Sequence, residues 1–137
     1  MAKDVYHEHV KRALEKDGWK ITHDPYSINI EEVGYEIDLG AESLIAAKKE
    51  ETIIAVEVKS FVGSSTINEF HRAVGQFNDY CVALEIKDPS RVLFLAVPED
   101  IWIRFFQKQI IQKSLERIKV KIIVYNPDQK IIVKWVK

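Results

Sequence analysis

Cysteine is almost missing from this chain. Cys81 stands alone, which excludes an internal disulfide and any cysteine-built metal cluster and suits a reducing compartment. No apolar run approaches the roughly 18 residues of a membrane-spanning helix. The opening MAKDVYHEHV carries acids and histidines where a signal peptide needs an apolar core. A cytoplasmic protein without membrane attachment is therefore expected. Repeats, low-complexity tracts and linkers are also lacking, so the 137 residues are expected to form one domain, 1–137. The net charge of −1 gives no independent case for nucleic acid.

What is present is a globular composition, 47% hydrophobic and 30% charged. The charges are unevenly spread. Residues 1–100 hold 11 Lys/Arg against 19 Asp/Glu, whereas residues 101–137 hold 9 against 2. Such a split can set acids around a metal and bases against a polyanion. A solvated basic helix face with lysines along strand edges would give the same split.

Periodicity predicts a helix over 4–16, with Val5, Val10, Ala13 and Leu14 on one face and Asp17-Gly18 as its stop. A short strand over 19–22 ends at Asp24-Pro25. Three strand-like runs follow at 34–39, 43–48 and 52–59, with turns at Gly40 and at 48–51, and these read as a β-meander. Thr66 and Glu69 fit a capping box. Ile67, Phe70, Val74, Phe77, Cys81 and Leu84 then repeat at helical spacing as a buried stripe. A buried strand over 91–97, a helix over 99–116 and a closing hairpin (121–125 and 131–136, turn 126–129) complete the chain. The expected class is α/β: a mixed sheet flanked by helices.

The chemistry-bearing residues sit at strand ends. Side chains alternate along a strand, so Glu57 and Lys59 share a face with apolar Ile53 and Ala55. That strand runs through the core and then presents two charges, which need partners. Asp38 ends another strand. Two carboxylates with a backbone carbonyl make a hard oxygen site suited to Mg²⁺ or Mn²⁺. Such a cation polarises a phosphoryl oxygen and acidifies a bound water, and a neighbouring lysine orients that water or stabilises growing charge. A structural salt bridge at a strand end uses the same residue types. Gln76 and Tyr80 share a helix face offset from the apolar stripe and can border a cleft, although a half-buried tyrosine beside a polar neighbour is the plainer reading. Glu8 can turn a third carboxylate toward the site, or simply face solvent.

These residues resemble the PD-(D/E)xK nuclease superfamily. The pattern of that superfamily is an N-terminal helix, an acid on a meander strand, then (D/E)-x-K on the partner strand. Here it reads Ile37-Asp38 and, nineteen positions on, Glu57-Val58-Lys59, with Ile37 where the pattern has proline. Gln76 to Tyr80 resembles the Q-x-x-x-Y element of some branches. The blocks Asp4-Val5-Tyr6-His7, Lys16-Asp17-Gly18-Trp19, Ile21 to Tyr26, Ala55 to Phe61 and Gly75-Gln76-Phe77 resemble one branch more closely, the XisH family of fdxN element excision controlling factors.

The resemblance implies a restriction-endonuclease-like core acting in programmed DNA excision, with DNA and a smaller XisI-like protein as partners. It implies Asp38, Glu57 and the Val58 carbonyl as metal ligands, with Glu8 as a further candidate, and Lys59 and Gln76 as catalytic groups. Tyr80, Arg104, Lys108, Lys113 and Arg117 are the candidate nucleic-acid contacts. A homodimer is expected by analogy with nucleases that cut both strands. The competing expectation is a non-catalytic factor that binds DNA or a partner through the same fold. His7, His9, His23 and His71 read as surface or supporting groups. Cys81, Trp102, Phe105, Phe106 and Trp135 read as core.

Overall fold

The structure, a computed structural model, describes residues 3–45 and 50–137. A mixed six-stranded sheet forms its centre. Its strands are β1 (Lys20–His23), β4 (Leu39–Ile45), β5 (Glu50–Val58), β6 (Val92–Pro98), β7 (Ile122–Asn126) and β8 (Ile131–Val136), side by side in that order. β5, β6 and β7 run parallel, and the outer pairs are antiparallel. A separate hairpin pairs β2 (Tyr26–Ile30) with β3 (Val33–Ile37). The expected mixed sheet with flanking helices is what forms.

The alternation of side chains explains why both faces of the three parallel strands are covered. Ala55, Leu93, Leu95, Val97, Ile122 and Val124 face one core, shared with α2 (Thr66–Lys87), α3 (Glu99–Arg104), α4 (Gln109–Arg117) and the β2–β3 hairpin. Ile54, Val56, Val58, Phe94, Ala96, Ile123 and Tyr125 face the other, beneath α1 (His7–Lys16), whose Val10 and Leu14 are fully buried.

Several sequence expectations are corrected. α1 begins at His7 rather than at residue 4, and Val5 is exposed while His7 is buried. The meander is reduced to β4 and β5, because the 34–39 run splits at Asp38. Its first part pairs with β2, a strand absent from the sequence reading although Tyr26, Ile28 and Ile30 alternate with Ser27 and Asn29. Gly40 is no turn. It lies inside β4 opposite Ala55, where a Cβ would meet the His23 ring and Cβ and the Arg91 guanidinium at 3.0–3.2 Å. Residues 46–49, which carry the end of the expected 43–48 strand and part of the expected 48–51 turn, lie outside the described residues. Glu50 and Glu51 already belong to β5.

The α2 cap shifts by one residue: Ser65 is the N-cap, its Oγ accepting from Asn68 N at 3.3 Å, while Glu69 accepts from Gly63 N instead. Ile67 leaves the stripe, 44% exposed, and Tyr80 joins the buried face. The expected 99–116 helix is broken between Arg104 and Gln109. Phe106 is driven fully inside, edge-on to Phe61 and Phe70. The carbonyls freed by the break are answered by side chains, Gln107 Nε2 to Trp102 O and Gln112 Nε2 to Phe106 O.

Candidate active site

β5 leaves the core at the edge where the parallel strands end, the side of an open α/β sheet on which ligands bind. Lys59 follows its last residue and is fixed through its backbone. Its N–H donates to Ala96 O, and its carbonyl accepts from the buried Tyr125 hydroxyl, both at 3.0 Å. With the main chain held, Glu57 and Lys59 project to the same side, and Lys59 Nζ stands 3.5 Å from Glu57 Oε2.

Asp38 lies between β3 and β4, where the chain passes from the hairpin to the main sheet. β4 pairs Leu39 with Val56, so continuing that register sets Asp38 opposite Glu57. Directly opposed residues of an antiparallel pair hold their side chains on one face, Cβ atoms about 5 Å apart. The ladder is completed through side chains. Val58 N donates to Asp38 Oδ2 at 2.7 Å, and Asp38 N donates to Glu57 Oε1 at 3.3 Å.

Burial and mutual repulsion oppose ionisation of this pair. Burial, reinforced by the Asp38 charge and only partly offset by Lys59, pushes Glu57 from 4.5 up to about 8. Burial also raises Asp38, outweighing the Val58 hydrogen bond. Tyr80 is pushed up to about 12 by burial and then by the charges of Glu57 and Asp38, which places its hydroxyl within their field.

α1 supplies a residue that the sequence reading put among surface or supporting groups. His7 is 2% exposed, and its Nδ1 lies 4.0 Å from Asp38 Oδ1. Its Nε2–H donates to Asp24 Oδ1 at 2.7 Å, and Lys11 Nζ donates to Asp24 Oδ2 at 2.8 Å. The signal was present in the sequence, because His7, Val10 and Leu14 are spaced three and four apart on the buried stripe. His7, Glu8 and Asp24 also offer ligating atoms within 4.8 Å of one another. Asp24 is already neutralised there by Lys11, which leaves little call for a cation.

Asp38, Glu57, Lys59 and Tyr80 are thus brought together. Gln76, one turn before Tyr80, buries its Oε1 without a hydrogen-bond partner. Glu8 is not brought to the pair; its side chain is 69% exposed and meets Lys3 at 3.6 Å. Arg104, Lys108, Lys113 and Arg117 are exposed. Arg104 pairs with Asp100, and α4 carries Arg117 toward the start of β7, the sheet end away from the carboxylates. Among the described residues, no helix is long and apolar enough to cross a membrane.

The XisH protein family model matches residues 1–133. The chain is similar to an XisH family protein from Nostoc punctiforme PCC 73102, with 44% identity and a TM-score of 0.88, over 98% of this chain and all of that one. It is similar in the same measure to an fdxN element excision controlling factor protein from Anabaena variabilis, with 43% identity, a TM-score of 0.88 and the same coverage. No curated protein matches. The chain belongs to the XisH family.

Proposed function

We propose that this chain is a metal-dependent DNA endonuclease of the PD-(D/E)xK type, with a restriction-endonuclease-like core, acting in the excision of a DNA element. The observation that carries this reading is the convergence of Asp38 and Glu57 at the strand ends, with Lys59 3.5 Å from Glu57. The setting is drawn from the Anabaena variabilis relative, which is named as an excision controlling factor.

The donor set fits a hard dication. A buried and a half-buried carboxylate that resist ionising together, as the rise of Glu57 to about 8 expresses, would gain from a shared cation. Asp38, Glu57 and the Val58 carbonyl would hold Mg²⁺ or Mn²⁺. When bound, such an ion supplies Lewis acidity toward a phosphoryl oxygen and an acidified water. The chain's own groups do the rest. Lys59, its backbone clamped by Ala96 and Tyr125, sets a positive charge where negative charge grows on the phosphate. On this reading Tyr80 and Gln76 on α2 would wall the site, and exposed Lys108 and Arg104 would offer sequence-independent phosphate contacts. A smaller XisI-like protein and a second copy of the chain are the partners this reading expects.

The relative's name also favours a second reading, a controlling factor that binds without cutting. Cleavage of linear, nicked and branched DNA by purified protein with Mg²⁺ or Mn²⁺ separates the two. The nuclease reading expects Lys59→Ala to cut about 10²–10³-fold more slowly and Glu57→Gln to be inert. Equal cutting by wild type and Glu57→Gln would identify a contaminant, and no cutting with either metal rejects the nuclease. Excision that persists in cells carrying both substitutions supports the controlling factor.

A further inference from the structure

α1 covers only part of its face of the sheet. It starts beside Asp38 and stops at Lys16, and a cavity of about 390 Å³ opens beyond it, toward the other end of the strands. Thr52, which lines this cavity near the start of β5, is about 20 Å along the strand from Val58 at a rise of about 3.3 Å per residue. Trp19, Phe94 and Trp135 also line it. The centroids of the two indoles are 5.5 Å apart, and Phe94 meets Trp135 edge-on at 5.0 Å. Both tryptophans are only half-buried, so ring surface is left open to the cavity. Ser43 and Thr52 pair directly across β4 and β5 and add two hydroxyls to the same wall.

The charges at this cavity are unbalanced. Ile123 pairs with Trp135, so continuing the β7–β8 register sets Lys121 opposite Lys137, and both line the cavity. The Lys121 backbone is fixed there, its carbonyl accepting from Leu95 N at 2.8 Å. Lys137 Nζ stands 6.0 Å from the centre of the Trp135 ring, which sets an ammonium group beside the indole. Like charges directly opposed on one face of a sheet destabilise it. Asp17 is the one acid lining the cavity among the described residues, so a positive charge is left over. An anion would answer it.

We propose that this cavity binds a free nucleoside monophosphate, its base against Trp19 and Trp135 and its phosphate between Lys121 and Lys137. A phosphate monoester carries close to two negative charges at neutral pH, so it matches both ammonium groups where a carboxylate matches one. Bases of any kind stack on aromatic side chains. The Ser43 and Thr52 hydroxyls pair with the polar edge of a base, whereas a plain hydrocarbon ring would leave them unanswered. The volume is at the small end of ligand cavities, which run from about 300 to 1,000 Å³, and suits one nucleotide rather than a longer strand. This site is separate from the carboxylate pair and does not depend on whether the chain cuts DNA.

Nitrogen–proton NMR of the full chain tests this, because its three indole N–H signals include a control. Trp102 packs on the other core and does not line the cavity. Titration with AMP should move the Trp19 and Trp135 signals saturably and leave Trp102 in place. Adenosine and inorganic phosphate, each carrying half of the ligand, should bind at least about tenfold more weakly. Lys121→Gln combined with Lys137→Gln should weaken AMP about tenfold or more, to the level of adenosine. Trp19 and Trp135 signals that stay still with AMP, GMP, CMP and UMP overturn the site, as does adenosine binding as tightly as AMP. A short single-stranded oligonucleotide that binds at the same two indoles more tightly than AMP overturns the assignment to a free nucleotide. These titrations use the wild type, so a misfolded lysine variant does not blunt them.

Discussion

The carboxylate pair predicts an unusual dependence of stability on pH. Glu57 binds its proton more tightly in the folded chain than in the unfolded one, moving from 4.5 to about 8. For an acid shifted upward, the stabilising contribution is fully present below pH 4.5 and is lost as pH rises toward 8. Each tenfold change in proton affinity is about 1.4 kcal/mol, so forcing Glu57 to ionise opposes folding by up to about 5 kcal/mol. Relaxation and water entry reduce this to about 2–4 kcal/mol, still a large share of the 5–15 kcal/mol typical of a domain. Asp38 is raised as well and acts in the same direction.

Glu57→Gln keeps an oxygen to accept from Asp38 N and removes the titration. Urea unfolding in chelator, followed from pH 5 to pH 9, is the assay. Wild type should weaken across the range, Glu57→Gln should stay nearly flat and be the more stable above pH 8, and Mn²⁺ should restore only the wild type. Wild-type stability that is flat or rising in chelator, with no advantage to Gln, would refute the claim that the two acids are held together against their charge.

Three further outcomes follow from the packing. Tyr125→Phe removes the hydroxyl that donates to Lys59 O and should cost about 1 kcal/mol in urea unfolding while slowing cleavage through a loosened Lys59. Gly40→Ala should destabilise by about 1–3 kcal/mol, because its Cβ would crowd His23 and the Arg91 guanidinium, which is tied to Ile54 O at 2.9 Å. Gly34→Ala meets nothing within 4 Å and is its control. Burial alone would raise Asp88, but hydrogen bonds from Arg91 and Tyr26 hold it below its usual range. A lowered acid stabilises above its unfolded value, so that contribution should vanish as pH falls below about 4. Asp88→Asn should flatten the acid limb of the unfolding curve.

The sequence was most legible where one force acts alone. β5 and β6 are apolar nearly throughout because helices cover both their faces, and the β7–β8 hairpin announces itself through Asn126-Pro127-Asp128. The acid, acid, lysine set was likewise readable, since alternation along β5 couples Glu57 to Lys59. What escaped depended on contacts distant in the chain. The interruption after Arg104 is imposed by a pocket for Phe106 that Phe61 and Phe70 build. The 34–39 run reads as one strand, yet Asp38 diverts it between two sheets through hydrogen bonds to Glu57 and Val58. His7 reads only as a surface or supporting group, because its partner Asp24 is delivered by a different loop.

Asp38 is both an acid on which the proposed chemistry rests and a seam. Its carboxylate stands in for a main-chain acceptor that the hairpin carries away, so Val58 N–H would be orphaned by Asp38→Ala. Knocking out the chemistry by truncation therefore unpicks the stitch that joins hairpin to sheet, and a dead Ala variant confounds lost activity with lost architecture. Asp38→Asn keeps an oxygen for Val58 while discarding the charge, which makes the amide, rather than the methyl, the clean instrument for asking what this side chain does.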